Sequence, residues 1–143
     1  MNLTSLCTSS GYHIQLAPPF EEEPPYTTVL LAIDKRGHHC LMSLNVEELA
    51  DLNDQAQAVK QPLERAPHTN VLRRTRHSPH TGVQQSYLSI DVIGETPSIC
   101  AGVSIDGGAL QHTVELTSAE LEIFAEHLAT TLQAIVEELE TKP

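Results

Sequence analysis

Aromatic side chains are scarce in this chain of 143 residues, with three tyrosines, two phenylalanines and no tryptophan. A surface that stacks nucleobases needs aromatic faces, and the most basic stretch of the chain contains none, which disfavours nucleic acid as a partner. Long hydrophobic runs are missing as well. A run such as Val29-Leu30-Leu31-Ala32-Ile33 falls far short of the roughly 20 apolar residues of a membrane helix, so no membrane partner is expected. The three cysteines, Cys7, Cys40 and Cys100, cannot all pair, which excludes a complete disulfide framework. Two of them fall in segments that read as strands, where a free cysteine usually serves as a small buried hydrophobe. The stretch Met1 to Ser10 has neither the basic start nor the apolar core of a secretory signal, and a cytoplasmic location is expected.

Catalytic motifs are equally sparse. No Gly-x-Ser-x-Gly elbow occurs, and Gly107-Gly108 lacks the lysine and helix start of a phosphate loop. Cys40 beside His39 is only a sequence neighbour, since adjacent side chains of a strand point to opposite faces. Asp34 and Asp106 stand at similar places before turns, but aspartate at a strand end next to glycine is ordinary turn chemistry. No catalytic residue is therefore assigned.

Acid is what the chain has in excess, with 19 aspartates and glutamates against 8 lysines and arginines and a formal charge of −11. The basic residues are clustered. Between Lys60 and Gln85, Lys60, Arg65, Arg73, Arg74 and Arg76 face a single acid, Glu64, a local +4 that leaves −15 on the rest. Charge of this kind governs steering and solubility rather than fold.

Fold class follows from self-comparison. At an offset of 72 residues, Leu31-Ala32-Ile33-Asp34 falls on Val103-Ser104-Ile105-Asp106, and Leu44 to Leu49 falls on Leu116 to Leu121. Both second stretches read as helix starts, with Asn45 or Thr117 as N-cap and Glu48 or Glu120 three places on, the spacing of a capping box. Alternating segments precede each Ile-Asp, and the turns Lys35-Arg36-Gly37 and Asp106-Gly107-Gly108 follow it. The chain is predicted to be one α+β domain over residues 1–143, built of two βββα repeats related by a pseudo-twofold axis. The first unit spans 11–59, a basic histidine-bearing linker 60–85, and the second unit 86–141.

The second helix is the strongest element. Leu121, Ala125, Leu128, Leu132, Ile135 and Leu139 step by four and three, while Glu120, Glu122, Glu126 and Gln133 lie off that stripe. From Ser118 to Glu140 it would extend roughly 35 Å at about 1.5 Å per residue, past the end of a strand of ordinary length. A homodimer that buries the overhang against a partner helix is the expected oligomer.

Three functional readings are carried forward. The first is a non-catalytic module that offers an acidic surface, Glu21, Glu22, Glu23, Glu122, Glu126, Glu137 and Glu138, to a protein with a basic surface. A small inhibitor or antidefence protein of a phage or mobile element would fit it. The second is a zinc-binding regulator or enzyme using His38 and Cys40, which alternation places on one face of a strand, with His77 and His80 from the linker. No Cys-x-x-Cys or His-x₃-His spacing fixes such a site, and no cofactor is assigned by default. The third is nucleic-acid binding through Arg73, Arg74 and Arg76.

Overall fold

A computed structural model describes residues 4–17, 28–36, 38–60, 72–78, 82–93, 96–105 and 108–141. Within those segments, side chains are described except at 28, 38, 39, 60, 72–78, 82–85, 91–93, 103–105, 108–110, 138, 139 and 141. The first half comprises β1 (Thr4–Cys7), β2 (His13–Ala17), β3 (Thr28–Lys35), β4 (His38–Asn45) and helix α1 (Val46–Lys60). The second comprises β5 (Leu72–Ser78), β6 (Gly82–Ile93), β7 (Thr96–Ile105), β8 (Gly108–Glu115) and helix α2 (Ser118–Thr141). Each half is an antiparallel four-stranded meander, ordered β1-β2-β3-β4 and β5-β6-β7-β8.

The α+β class and the long C-terminal helix stand as expected, but each half has a strand more than the three predicted. The additions are β1 and β5, and β5 lies inside the segment 60–85 that reads as a linker. Its sequence, Leu-Arg-Arg-Thr-Arg-His-Ser, alternates too little to announce a strand, and pairing with β6 makes it one. Tertiary context overrides local propensity readily in sheets.

Both helices start where the sequence places them. Asn45 N–H donates to Glu48 Oε1 at 3.0 Å and Glu48 N–H to Asn45 Oδ1 at 2.8 Å. The second box repeats this, Thr117 N–H to Glu120 Oε1 at 2.9 Å and Glu120 N–H to Thr117 Oγ1 at 3.1 Å. Each box satisfies two amides that a helix start would otherwise leave open.

The strands obey a different offset. Leu44 pairs with Val29, whereas Leu116 N–H donates to Pro97 O, so the capping leucines are 72 residues apart but their partners only 68. The β7–β8 hairpin is two residues longer on each arm. Leu31 and Ile33 are thus matched in the sheet by Ile99 and Ala101, all four buried, and not by Val103 and Ile105. Gly102 takes the place of Asp34, while Asp106 lies outside the described residues, and the pairing of those two aspartates has no basis in the register.

The halves interlock. Helix α1 packs on α2 and crosses onto β6 of the second sheet, and α2 reaches β1 of the first. One hydrophobic cluster results, drawing Ile14, Leu31 and Leu49 from one half and Leu88, Ile99, Phe124 and Leu128 from the other. Each large side chain buried there contributes on the order of 1.5–3 kcal/mol before entropy is charged against it. Within this core Gln55 is 1% exposed and accepts a hydrogen bond from Ile90 N–H at 2.9 Å, tying α1 to β6. On α2 the apolar stripe is covered within the chain as far as Ile135, which is fully buried.

Candidate functional site

The outward side of the helices is carboxylate-rich because their inward stripes use up the apolar residues. On α2, Glu122, Glu126, Glu137 and Glu140 are exposed, and on α1 Glu47, Asp51 and Asp54 are. No basic residue occupies the last turn of α2. Among these acids sits Ile123, 42% exposed and adjacent on the helix surface to Glu126 three residues on. Of the expected acidic set, Glu122, Glu126 and Glu137 therefore share this face. Glu138 is on α2 with its side chain outside the description, and Glu21, Glu22 and Glu23 lie outside the described residues.

The base of α2 is clamped to the first half. Ser9 N–H donates to Glu120 Oε2 at 2.6 Å, Ser9 Oγ to Oε1 at 3.4 Å, and Ser10 Oγ to Glu115 O at 3.0 Å. Burial raises the Glu120 carboxyl, yet the hydrogen bonds from Thr117 and Ser9 outweigh it and hold the group below the usual glutamate range. A cleft of about 250 Å³ opens here, lined by Ser9, Ser10, Thr96, Glu115, Leu116 and Thr117. It is small for a ligand pocket, and several of its polar groups are engaged in the clamp.

The outer faces of the sheets are the other accessible surfaces. In the second sheet the ladder aligns Arg73, Tyr87, Gly102 and Gln111 across four strands. A Cβ at Gly102 would fall on the hydroxyl and ring of Tyr87, so glycine is what lets the tyrosine lie across β7. Burial, and then the nearby Cys100 and Cys40 thiols, push the Tyr87 phenol up. In the first sheet the equivalent row is Cys7, His13, Asp34 and His39. Its neighbour Ser5 shares a hydrogen bond between Oγ and His13 Nε2 at 2.5 Å.

Of the expected zinc ligands, Cys40 alone has a described side chain. Cys40 is 7% exposed in the core, opposite Ile33, where burial pushes its thiol up and so disfavours the thiolate that ligates metal. His38 is on β4 and His77 on β5, each placed by its backbone, and His80 lies outside the described residues. Among the described residues, no three His, Cys, Asp or Glu side chains gather into a metal-binding group. Arg73, Arg74 and Arg76 follow one another on β5, opposite Tyr87, Ser86 and Gln84. No described helix is long and apolar enough to cross a membrane.

Two polar features went unread in the sequence. Gln55 is one, a glutamine in a weakly amphipathic helix with no local sign of its role. His112 is the other, 5% exposed on the inner side of β8, with its ring edge-on to Tyr12 at 5.8 Å. Its Nε2 has no hydrogen-bond partner among the described residues. The alternation of Gln111-His112-Thr113-Val114 carries the signal for its burial, since His112 shares a face with Val114. Neither a known family model nor a curated protein matches this chain, and its functional reading rests on these surfaces alone.

Proposed function

We propose that the chain is a non-catalytic, acidic protein-binding module that engages its partner through the outward face of α2. The observation that carries this reading is Ile123, 42% exposed on a helix face that also presents the exposed carboxylates of Glu122 and Glu126. An apolar anchor within a charged rim is the composition that supports recognition, the anchor supplying affinity and the rim steering the approach. The partner surface is accordingly basic around an apolar recess. A small inhibitor that occupies such a surface would act in this way without turnover. The test begins by cross-linking in the native cell, followed by titration of the identified partner with purified chain. Ile123→Asp is expected to abolish the complex, and Glu122→Gln with Glu126→Gln to slow association and flatten its salt dependence. A complex indifferent to all three substitutions would refute the assignment.

A second reading is favoured by one register observation. Arg73 lies opposite Tyr87 on the ladder, so the backbone register sets a basic residue of β5 and an aromatic residue of β6 in one row. Single-stranded nucleic acid is held by that pairing of charge and stacking. Fluorescence anisotropy with a labelled oligonucleotide checks it. Binding is expected to weaken steeply with salt and to be lost in Arg73→Ala and Tyr87→Ala, and no detectable binding at low salt would dismiss it.

A further inference from the structure

The edges of the two sheets are guarded unequally. β1 is only four residues long, β5 carries Arg73, Arg74 and Arg76 in its sequence, and the exposed side chains of β8, Gln111, Thr113 and Glu115, are polar. Shortness, charge and polarity each discourage pairing between molecules. β4 has none of these guards. It is eight residues long and contains no lysine, arginine, aspartate, glutamate or proline. Among the described residues, no strand pairs with β4 on the side away from β3.

Leu41 marks the outward side of this edge. Cys40, Met42 and Leu44 are buried in the core, while Leu41 is 58% exposed and Ser43 is exposed with it. Across the outer face, Leu41 continues the row Ser5, Gln15 and Ala32, and Ser43 continues the row Ala17 and Leu30. Neither row holds a charged residue, and that neutrality selects the occupant. Two chains of formal charge −11 repel one another. A twofold contact sets one patch against the same patch, so any net charge on it would be opposed by its own copy. The β4 edge avoids that opposition, whereas the acidic face of α2 would not. We propose that two copies of the chain pair antiparallel along β4, joining their four-stranded first sheets into one continuous sheet with the two Leu41 side chains close together on its outer face. The pairing uses the open β4 edge of both copies, and the guarded edges that remain stop association at the dimer. This surface is distinct from the acidic face of α2 and does not depend on the protein-binding reading.

The experiment follows the full chain by sedimentation velocity over a wide concentration range, where a reversible monomer–dimer equilibrium is expected. Leu41→Lys and Leu41→Glu should each weaken dimerisation by more than about tenfold, because each sets like charges together across the twofold axis. An equimolar mixture of the two variants should recover the dimer, since opposite charges then meet. Ile123→Asp should leave the equilibrium unchanged. Circular dichroism of each variant confirms folding. Alternate amides of β4 point away from β3, and their hydrogen exchange should slow as the chain concentration rises. A chain that stays monomeric up to about millimolar concentration, a dimer indifferent to L41K, a mixture that fails to recover it, or β4 exchange independent of concentration would each overturn the assignment.

Discussion

The first and second halves share an inner face and diverge on the outer one. Several inward positions match once the sheets are aligned, Leu31 with Ile99, Ile33 with Ala101 and Leu44 with Leu116, because each must fill one interlocked core. Outward, the same ladder place holds Asp34 in one sheet and Gly102 in the other, and His13 in one and Tyr87 in the other. Packing constrains one side of each strand, which leaves the opposite side available for chemistry. Function is accordingly sought where the halves differ, and stability where they agree.

The agreement can be broken at its strongest point. Leu52 of α1 and Leu128 of α2 are both fully buried, and each helix crosses onto the other half's sheet. Leu52→Ala and Leu128→Ala are each expected to cost about 2–5 kcal/mol, read as a lower midpoint in a single cooperative urea transition. Two transitions, one sensitive to each substitution, would show that the halves fold separately.

Polar links between the halves come next in size. Gln55→Ala removes the acceptor for Ile90 N–H in the core, leaving a buried amide unpaired at about 1–3 kcal/mol. Amide exchange at Ile90 measures it directly, and unchanged protection would mean that β6 does not rely on α1. The outer-face counterpart is Gly102. A valine there collides with Tyr87 and is expected to cost about 1–3 kcal/mol in the wild-type background, but clearly less beside Tyr87→Ala. Equal penalties in both backgrounds would remove the tyrosine from the explanation.

Much of the scaffold was legible in the sequence because caps and apolar periodicity are local. Asn45, Glu48, Thr117 and Glu120 mark both helix starts by spacing alone. The strand alignment was not, since a constant offset of 72 carries no sign that one hairpin arm is two residues longer than its counterpart. Nor was β5, whose arginine-rich sequence becomes a strand only by pairing with β6. The acidic residues of α2 were readable from helical period, whereas Ile123 stood out only once its exposure was known. The row Tyr87–Gly102–Gln111 draws on three strands, and cross-strand register is a long-range property that spacing along the chain does not encode.

The smallest effect sharpens the comparison at the helix starts, where the halves are nearly identical. Asn45→Ala and Thr117→Ala should each cost about 1 kcal/mol, since both remove one cap oxygen from an equivalent box. The glutamates should differ, because Glu120 also accepts Ser9 N–H from the first half. Its carboxyl is held below the ordinary glutamate pKa of about 4.3, so its contribution is fully present above that value and is lost as pH falls through the lower, folded value. The stability gap between wild type and Glu120→Gln should therefore be constant near neutrality and close below about pH 4. Thermal melts of Glu48→Gln and Glu120→Gln across pH 3 to 7 decide the matter. If the two gaps are equal at every pH, the Ser9 contact adds nothing to the box, and α2 is capped rather than clamped.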